Sequence, residues 1–250
     1  MIASERRLYI RKSLEEKGII NLKEIARDLG IAEITVRRDF EKMEESGLLK
    51  RVQGGAMLED MADIAELTMK RKGSINNSAK AKVAEYAAGL VATGDCIFLD
   101  AGTSIAHMVD YLMQKRINIV TYSELVIKKL SKPILADIYM VGGKYVPGFS
   151  MFAGIVAQEA LKAYHFDHAF MGCTSMDTED FASYVTDAES LAMKKIAMDN
   201  AQHRHLLIDS TKLERYAFLR FTTANDFDSV ICDQNVNRKP ETFPENFVFV

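Results

Sequence analysis

From residue 79 onwards, short apolar runs alternate with helical segments, and this alternation constrains the fold more than any other feature of the chain. The apolar runs predict strands at residues 96–100, 117–122, 138–141, 167–172, 205–208 and 229–232. The segments between them predict helices at 79–91, up to 114, up to 130, at 154–163 and at 188–202. Repeated strand–helix units with continuously apolar strands are typical of a parallel sheet covered by helices.

The first 57 residues follow a different pattern, with helical periodicity and no such alternation. Ser4 is a candidate cap for a first helix that points Leu8, Ile10 and Leu14 inward and ends at Gly18. Asn21 with Glu24 resembles a capping box, and Gly30 ends this second helix. The segment therefore begins as two short amphipathic helices.

A third helix over Ala32–Glu45 follows and ends before Gly47. Its predicted core positions are Val36, Phe40 and Met43. Two helices joined by a short turn form a helix-turn-helix, and residues 48–56 predict a strand entering a tight Gly-Gly turn. The expected fold of this segment is a winged helix-turn-helix.

The third helix turns Thr35, Arg37 and Arg38 away from its own core positions. Such a helix fits the major groove of DNA, which is about 12 Å wide, and Lys50 and Arg51 add two cations at the start of the wing. We therefore predict that these five residues contact DNA. The residues alone leave one alternative open, a small helical bundle whose arginine pair only faces water.

Composition supports an ordinary globular protein. The net charge of −3 divides into +2 for residues 1–57 and −5 for the remainder. Three scattered cysteines predict neither a disulfide framework nor a cysteine-based zinc site. No run approaches the 18 or so apolar residues of a membrane span, and the charged N-terminus lacks an apolar signal core. These features predict a cytoplasmic protein.

The loops that follow the predicted strands are the expected binding region, because ligands of parallel sheets bind beyond the carboxyl ends of the strands. The first loop, Asp100-Ala101-Gly102-Thr103-Ser104, offers a glycine, two hydroxyls and a helix start, which suit a phosphate group. The alternative is that Gly-Thr-Ser only turns the chain and caps the helix. The pattern leaves both interpretations open.

Other strand ends add single candidates to the same crevice. Gly143 and Lys144 follow one strand, the segment Asp167–Gly172 forms another, and Lys212 follows a third. Lys194 lies on the helix before that third strand. Plain turn chemistry and solvated lysines are the alternative explanation for each of these residues taken singly.

The N-terminal motifs resemble the winged helix-turn-helix of the DeoR family of bacterial transcription regulators. The resemblance is carried by Arg6-Arg7, Leu22-Lys23-Glu24-Ile25-Ala26, Gly30-Ile31, Thr35-Val36-Arg37-Arg38-Asp39-Phe40, Gly47-Leu48-Leu49 and Gly54-Gly55-Ala56. The order and spacing of these segments are close to gapless. The resemblance implies that this domain binds DNA.

The remainder resembles the DeoR-type sensor domain in Asp100–Ser104, Val120-Thr121-Tyr122-Ser123, Val141-Gly142-Gly143, Asp167–Gly172, Glu189 with Lys194-Lys195, and Asp209-Ser210-Thr211-Lys212. That domain is similar to ribose-5-phosphate isomerase, so the resemblance implies a Rossmann-like α/β fold and a phosphorylated sugar as effector. By this analogy Gly102, Thr103 and Ser104 hold the phosphate, Lys212 contributes charge, and Asp100, Asp167, and Glu189 or Lys194 contact hydroxyls. The individual roles are expectations.

Two positions depart from the family pattern. Ala32 stands where the family usually has a serine cap, and a lost cap costs about 1 kcal/mol at the start of the recognition helix. Tyr122 stands where the family most often has asparagine. A bulky phenol at a strand end that lines the pocket is expected to change which ligand fits, or whether one fits.

We predict a winged helix-turn-helix at 1–57, a linker at 58–78 and an effector-sensing domain at 79–250. The expected function is a transcription regulator, most simply a repressor of carbohydrate genes, acting as a homodimer or homotetramer on two-fold operator DNA. A sugar-phosphate isomerase is the alternative. A nucleotide-binding fold is set aside because no Gly-x-Gly-x-x-Gly follows the first strand. We expect no cofactor other than a small-molecule effector, and no metal at the paired histidines His165/His168 and His203/His205.

Overall fold

The computed structural model describes residues 2–17, 19–46, 48–52, 54–57, 73–130, 134–213, 217, 219–236 and 240–250. The predicted helix ends at Gly18 and Gly47, and most of the predicted linker, lie outside the described residues. The chain separates into two compact units: Met1–Lys72 with Pro147–Phe149, and Gly73–Val146 with Ser150–Val250. None of the helices in the described part has the length and apolar composition of a membrane span.

The N-terminal unit is a winged helix-turn-helix. Its helices are α1 (Ala3–Lys17), α2 (Leu22–Leu29) and α3 (Glu33–Glu45). Its strands are β1 (Ile19–Asn21), β2 (Lys50–Val52) and β3 (Gly55–Met57). The strand β3 lies between β1 and β2 and pairs with both in antiparallel orientation. The β2–β3 hairpin is the wing.

The start and end of α2 are where the local signals place them. The Asn21 side chain accepts hydrogen bonds from the backbone N–H of Lys23 at 2.9 Å and of Glu24 at 3.4 Å. Gly30 ends the helix in the left-handed conformation, at φ +63°, which glycine adopts without steric cost. Ala32 begins α3 with no side-chain cap, as its missing hydroxyl predicts.

The core of the N-terminal unit is formed by one face of each helix and by the sheet. It contains Ile10, Leu14, Ile20, Leu22, Ile25, Ala26, Val36, Phe40, Met43, Leu49 and Ala56. The inward position predicted for Leu8 is wrong, because its side chain is 55% exposed. Two residues along a helix turn by about 200°, so Leu8 and the fully buried Ile10 point in opposite directions.

The C-terminal unit contains six further helices and twelve further strands among the described residues. The helices are α4 (Asn77–Gly89), α5 (Thr103–Ala106), α6 (Val109–Leu112), α7 (Glu124–Lys129), α8 (Ile155–Leu161) and α9 (Ala188–Asp199). The strands are β4 (Cys96–Leu99), β5 (Asn118–Thr121), β6 (Asp137–Met140), β7 (Lys144–Val146), β8 (Met151–Ala153), β9 (Phe166–Gly172), β10 (Ser175–Met176), β11 (Ala182–Val185), β12 (Ala201–Ile208), β13 (Leu219–Thr223), β14 (Ser229–Cys232) and β15 (Phe247–Phe249).

A seven-stranded sheet organises this unit, in the order β15-β14-β12-β9-β4-β5-β6. Every neighbouring pair in it is parallel, which confirms the predicted parallel sheet. All six predicted strands belong to it. Apolar side chains of the strands and of α4 to α6 form the core, including Val83, Ala87, Ile97, Leu99, Ile105, Val109, Ile119, Phe170 and Leu207.

Three smaller pieces of sheet were not predicted. The strands β7 and β8 form an antiparallel hairpin, β10-β11-β13 form a second antiparallel sheet, and β15 adds an edge to the main sheet. They are two to five residues long, and such short segments carry too little periodicity to be predicted.

The strand order reverses beside β4, because β5 and β6 follow on one side while β9, β12 and β14 follow on the other. In open parallel sheets the loops diverge at such a switch point and leave a crevice beyond the carboxyl ends of the strands. The loops after β4 and β9 flank this point. The fold therefore places the candidate ligand site there.

Candidate functional site

The helix α3 presents an exposed, positively charged face in the N-terminal unit. Arg37 and Arg38 are exposed and Thr35 is half-buried, while Val36 and Phe40 are buried on the opposite face. Within the described residues, no carboxylate forms an ion pair with Arg37, Arg38 or the exposed Lys50 on β2. These cations are free to meet a phosphate backbone or a base edge.

A groove of about 440 Å³ runs along this face. It is lined by Asn21, Leu22, Lys23, Glu33, Arg37, Phe40, Arg51, Gly54 and Gly55. Lys23 and Arg37 are cations of this groove that form no ion pair with a carboxylate among the described residues, whereas Arg51 is paired with Glu41 and Glu44. Lys23 was not among the predicted contacts, although it lies on the first turn of α2, where a helix N-terminus attracts anions.

Asp39 fixes the position of α3 against α1. Its carboxylate is 3% exposed and accepts hydrogen bonds from Arg6, whose Nε lies 2.7 Å from Oδ2 and whose Nη2 lies 3.4 Å from Oδ1. The Nε of Arg7 lies 3.5 Å from Oδ1. The sequence analysis quoted Asp39 within a motif without a role. Its position on the core side of the helix, three residues after Val36, is the signal that identifies it.

Arg51 differs from the other predicted DNA contacts, because its guanidinium already has partners. Its Nε donates to Oε2 of Glu44 at 2.6 Å and its Nη1 donates to Oε1 of Glu41 at 2.9 Å. The backbone N–H of Arg51 also donates to Oε1 of Glu44 at 2.8 Å. Hydrogen bonds from Arg51 hold the pKa of Glu44 below its ordinary value, and the Glu44 hydrogen bond raises the pKa of Arg51.

In the C-terminal unit, Asp100 lies at the switch point and is 1% exposed. The hydroxyl of Tyr122 donates to its Oδ1 at 2.5 Å, and the backbone N–H of Gly172 donates to its Oδ2 at 2.9 Å. Lys194 forms an ion pair with the same Oδ2. The three predicted residues Asp100, Tyr122 and Lys194 therefore form one buried network.

The network determines the ionisation of its members. Burial raises the pKa of Asp100, but the charge of Lys194 and the hydrogen bonds from Lys194, Tyr122 and Gly172 outweigh it, so the pKa is lowered. Burial, followed by the negative charge of Asp100, raises the pKa of Tyr122 well above its ordinary value. Asp100 is a carboxylate and Tyr122 a neutral phenol. Both carboxylate oxygens accept hydrogen bonds within the protein, and Asp100 is 1% exposed.

The loops after β4 and β9 meet above this network. A Cβ at Gly172 would lie 4.0 Å from the Cα of Gly102. Gly102 and Thr103 are half-buried, whereas Ser104 is 1% exposed and its Oγ has no hydrogen-bond partner among the described residues. Buried hydroxyls are normally hydrogen-bonded, so Ser104 offers an available donor and acceptor at the start of α5.

Lys212 lies in the 3₁₀ turn after β12 and is half-buried. Burial raises the pKa of the Cys173 thiol, and the charges of Lys212 and Lys194 both oppose that rise. Burial raises the pKa of Asp209, but the charge of Lys212 and the smaller effects of Thr211, Asn76 and Lys80 together outweigh it, so the pKa is lowered. Both lysines therefore act on the same region beside Gly172. Lys212 is therefore near Cys173, the residue that follows β9.

Asp167 is not at the crevice. Its Oδ2 accepts a hydrogen bond from the backbone N–H of Cys96 at 2.8 Å, at the amino end of β4. Six residues of extended strand separate Asp167 at the start of β9 from the loop after it, which is roughly 20 Å at 3.3 Å per residue. The expectation that Asp167 contacts the same ligand is corrected, since a strand carries its two ends to opposite edges of the sheet.

Gly143 and Lys144 follow the edge strand β6, which lies two strands away from β4. They belong to the β7–β8 hairpin that follows the edge strand β6, and Lys144 is exposed opposite Ala153. A Cβ at Gly143 would lie 2.6 Å from the carbonyl oxygen of Ala153. Gly143 is therefore required for close packing of the chain.

Tyr122 also differs from expectation. Its ring is fully buried and stacks on Phe98 with ring centroids 5.9 Å apart, rather than lining an open pocket. The aromatic ring packs in the core and the hydroxyl completes the coordination of Asp100. Tyr122 is therefore part of the core and of the Asp100 network.

Lys80 is a further cation at this edge of the sheet. It is 3% exposed, and its Nζ donates to the carbonyl of Ile75 at 2.7 Å. Its charge lowers the pKa of Asp209, after the larger effects of burial, Lys212, Thr211 and Asn76. The sequence analysis missed Lys80. The signal is its position on the buried stripe of α4, three residues before Val83 and four before Ala84.

A polar cavity of about 510 Å³ lies next to the loop that contains Lys212. It is lined by Asn76, Ser78, Ala79, Lys82, Ser210, Thr211, Asp233, Gln234 and Asn235. The Nδ2 of Asn76 donates to Oδ1 of Asp209 and to the Thr211 hydroxyl, both at 3.1 Å. These bonds join the start of α4 to the loop after β12.

Three histidines, His168, His203 and His205, form a cluster toward the opposite, amino edge of the sheet. Nδ1 of His168 lies 3.0 Å from Nε2 of His205, and Nδ1 of His205 lies 2.8 Å from the Ser229 hydroxyl. The ring of His203 stacks on that of His168. Among the described residues, no three His, Cys, Asp or Glu side chains are arranged to hold a metal ion.

Comparison with known proteins identifies both units. Residues 6–61 match the model of the DeoR-like helix-turn-helix domain, and residues 75–234 match the model of the DeoR C-terminal sensor domain. The chain belongs to the DeoR family. It is therefore a DNA-binding transcription regulator, and the family resemblance of its motifs is confirmed.

Full-length relatives of this DeoR-family chain carry regulator names. It is 34% identical over 236 residues to the uncharacterized HTH-type transcriptional regulator FruR of Bacillus subtilis (strain 168), covering 93% of this chain and 92% of that one. It is 33% identical to the lactose phosphotransferase system repressor of Lactococcus lactis subsp. lactis, covering 90% and 88%. These names confirm the prediction of a regulator over that of an enzyme.

Solved structures similar to the DeoR-family chain include ribose 5-phosphate isomerase A of Methanocaldococcus jannaschii. That similarity covers 55% of each chain at 21% identity, with a TM-score of 0.41.

Proposed function

We propose that the protein represses genes of carbohydrate metabolism and that a phosphorylated sugar, bound at the switch point of the sensor unit, changes its affinity for operator DNA. The observation that carries the proposal is the unpartnered, buried hydroxyl of Ser104 at the start of α5, in the loop beside Gly172. The names of relatives as lactose phosphotransferase system repressors support a sugar-related effector.

In the proposed site, the phosphate lies against Gly102, Thr103 and Ser104, with Lys212 as counter-charge. Backbone N–H groups and hydroxyls at a helix start are suited to phosphate oxygens. The buried network of Asp100, Tyr122 and Lys194 lies beneath the loops after β4 and β9 and stabilises them. The cavity beside Ser210 and Thr211 offers room for further polar groups of the ligand.

Control of DNA binding requires that the effector favour one of two arrangements of the protein, since equal affinity for both shifts nothing. We propose that a homodimer or homotetramer supplies these arrangements and places two recognition helices on half-sites about one helical turn apart. The function requires the protein to act in the cytoplasm, where bacterial DNA lies. No cofactor beyond the effector is needed.

The test is fluorescence anisotropy of the full-length protein on labelled DNA from upstream of its own and neighbouring genes, at fixed salt. Pentose and hexose phosphates are titrated in, with the unphosphorylated sugars and inorganic phosphate as controls. We expect one sugar phosphate to change the affinity for DNA at least ten-fold while its free sugar does not. Specific binding to DNA without a response to any phosphorylated sugar would contradict the proposed effector class.

A further inference from the structure

We propose that Arg51 is a positioning residue that attaches the wing to the recognition helix, rather than a residue that grips DNA. The proposal rests on the contacts of Arg51 with Glu41 and Glu44 within the N-terminal unit. It concerns DNA binding, which the family establishes, and does not depend on the proposed effector.

The Glu44 carboxylate binds both the main chain and the side chain of Arg51. One carboxylate oxygen accepts the backbone N–H of Arg51 at 2.8 Å, and the other accepts Nε at 2.6 Å. Two parallel bonds to one carboxylate restrict rotation as well as separation. The wing strand β2 is thereby held in one orientation against the second half of α3.

The hydrogen bond from the Arg51 backbone also satisfies a donor at the edge of the sheet. Among the described residues, the strand β2 pairs only with β3, so the N–H groups on its outer side have no strand partner there. Unpaired edge groups need another acceptor or water. Glu44 is that acceptor for Arg51, and the recognition helix thus completes the outer edge of the wing.

The charge balance distinguishes Arg51 from its neighbours. Arg51 faces two carboxylates, Glu41 and Glu44, so the three side chains together carry one negative charge. A DNA phosphate that took Arg51 from them would leave those carboxylates unpaired beside a second anion. Arg37 forms no ion pair with a carboxylate among the described residues, and Lys50 is attracted by Glu44 without forming an ion pair. A phosphate therefore reaches either cation at a smaller cost than it reaches Arg51.

The two roles predict opposite effects of removing Glu44. If Arg51 binds phosphate, Glu44→Ala frees its guanidinium and removes a repulsive charge, so DNA binding tightens. If Arg51 positions the wing, the same substitution loosens β2 and weakens binding. We expect a loss of about three- to ten-fold, the size that one or two exposed ion pairs support, in full-length protein on a labelled duplex from upstream of its own gene.

Glu45→Ala is the matched control, because it removes the same charge from the next residue of α3, which is exposed. We expect it to leave the affinity unchanged or to tighten it slightly. If Glu44→Ala tightens binding or behaves as Glu45→Ala does, the proposal is wrong.

The salt dependence of binding gives a second, independent criterion. The slope of log K against log salt is negative, and loss of one phosphate contact reduces its magnitude by about 0.9. We expect Arg51→Met to weaken DNA binding at every salt concentration without changing this slope. We expect Lys50→Met to reduce the magnitude of the slope. Arg51→Lys keeps the charge but not the forked geometry, and we expect it to behave like Arg51→Met. The proposal is overturned if Arg51→Met reduces the magnitude of the slope, or if Arg51→Lys binds DNA as tightly as the native chain.

Hydrogen exchange measured without DNA tests the same contact when affinity changes are small. The backbone N–H of Arg51 is bonded to a side chain and not to a strand, so its protection depends on Glu44. We expect Glu44→Ala to increase exchange at this amide at least ten-fold while amides of the β1–β3 pair stay protected. Unchanged protection at Arg51 contradicts the attachment of the wing.

Discussion

At the residue scale, a single buried carboxylate organises the sensor unit. Asp100 receives hydrogen bonds from Tyr122 and Gly172 and an ion pair from Lys194. These partners come from β9 and α9 and from the chain after β5, which are far apart in sequence. A buried charge that loses one partner costs more than the same bond at the surface, because water cannot replace the partner.

The first prediction concerns the strength of this network. We expect Lys194→Met to destabilise the protein by about 3–5 kcal/mol, the usual result of leaving a buried charge unpaired. Tyr122→Phe removes only one donor and costs about 1–3 kcal/mol. Urea unfolding measures both, with the exposed Tyr86→Phe as the control. Equal stability of Tyr122→Phe and the native chain would show that the phenol does not support Asp100.

The second prediction concerns pH. Burial, with the positive charge that His168 can carry, lowers the pKa of His205 to about 4 from the ordinary value of 6.5. Between these values the unfolded chain is protonated and the folded chain is not, so stability falls as the pH decreases through this window. The slope reaches about 1.4 kcal/mol per pH unit. This pH dependence disappears below about pH 4, where His205 is protonated in both the folded and the unfolded chain.

His205→Gln tests this assignment, because glutamine does not titrate. We expect the free energy of unfolding, measured between pH 6.5 and 4, to depend less on pH in this variant than in the native chain. His165→Gln, at an exposed position, serves as the control and keeps the native slope. An unaltered slope in His205→Gln assigns the pH dependence to other groups.

At the scale of elements, the recognition helix begins without a cap while its neighbour begins with one. Ala32 has extended backbone angles and offers no side-chain acceptor, whereas Asn21 accepts two N–H bonds at the start of α2. The helix that faces DNA is held instead by tertiary contacts. Asp39 joins it to α1 through Arg6, and Glu44 joins it to β2 through Arg51.

The third prediction follows from this difference between the two helix starts. Ala32→Ser is expected to stabilise the N-terminal unit by about 0.5–1 kcal/mol, because serine supplies the missing acceptor at an extended N-cap. Asn21→Ala is expected to destabilise it by about 1 kcal/mol. The midpoint of urea unfolding reports both changes. If Ala32→Ser stabilises the unit and Asn21→Ala destabilises it, the missing cap at Ala32 limits the stability of α3. A destabilising effect of Ala32→Ser contradicts this explanation.

At the scale of the whole molecule, one unit binds DNA and the other carries the candidate effector site. The substitution pair Thr103→Ala with Ser104→Ala separates these functions. Because the Ser104 hydroxyl has no partner among the described residues, its removal breaks no observed bond and the fold is expected to persist. This is the fourth prediction: the response of DNA binding to the effector is lost, while affinity for DNA alone stays within about two-fold, far less than the ten-fold that corresponds to 1.4 kcal/mol.

Two variants control the location of the site. Lys144→Ala and Asp167→Asn change residues that the sequence analysis also assigned to the ligand, but which the fold places in the β7–β8 hairpin and at the amino edge. We expect both to keep the native response in the same anisotropy titration. A lost response in either variant, with Thr103→Ala and Ser104→Ala still responding, would move the site away from the β4 loop.

Local signals in the sequence were sufficient for six strands of the main sheet, for the limits of α2 and for the family, but not for the short antiparallel strands. Apolar runs predicted the six strands, Asn21 and Gly30 predicted the limits of α2, and the spacing of Val36, Phe40 and Met43 predicted which face of α3 is exposed. Each of these signals acts within a few residues. Such signals retain their meaning before the chain folds, because they depend on backbone conformation and on helical or strand periodicity.

Only the tertiary structure decided which polar residues share a site. The strand β9 carries Gly172 to the crevice and Asp167 to the opposite edge, and the order of the strands puts Gly143 beyond the edge strand. Partners such as Lys194 for Asp100 and Glu44 for Arg51 depend on contacts between separate elements. No local pattern records these contacts, because they arise from how the strands are ordered and how the elements pack against one another.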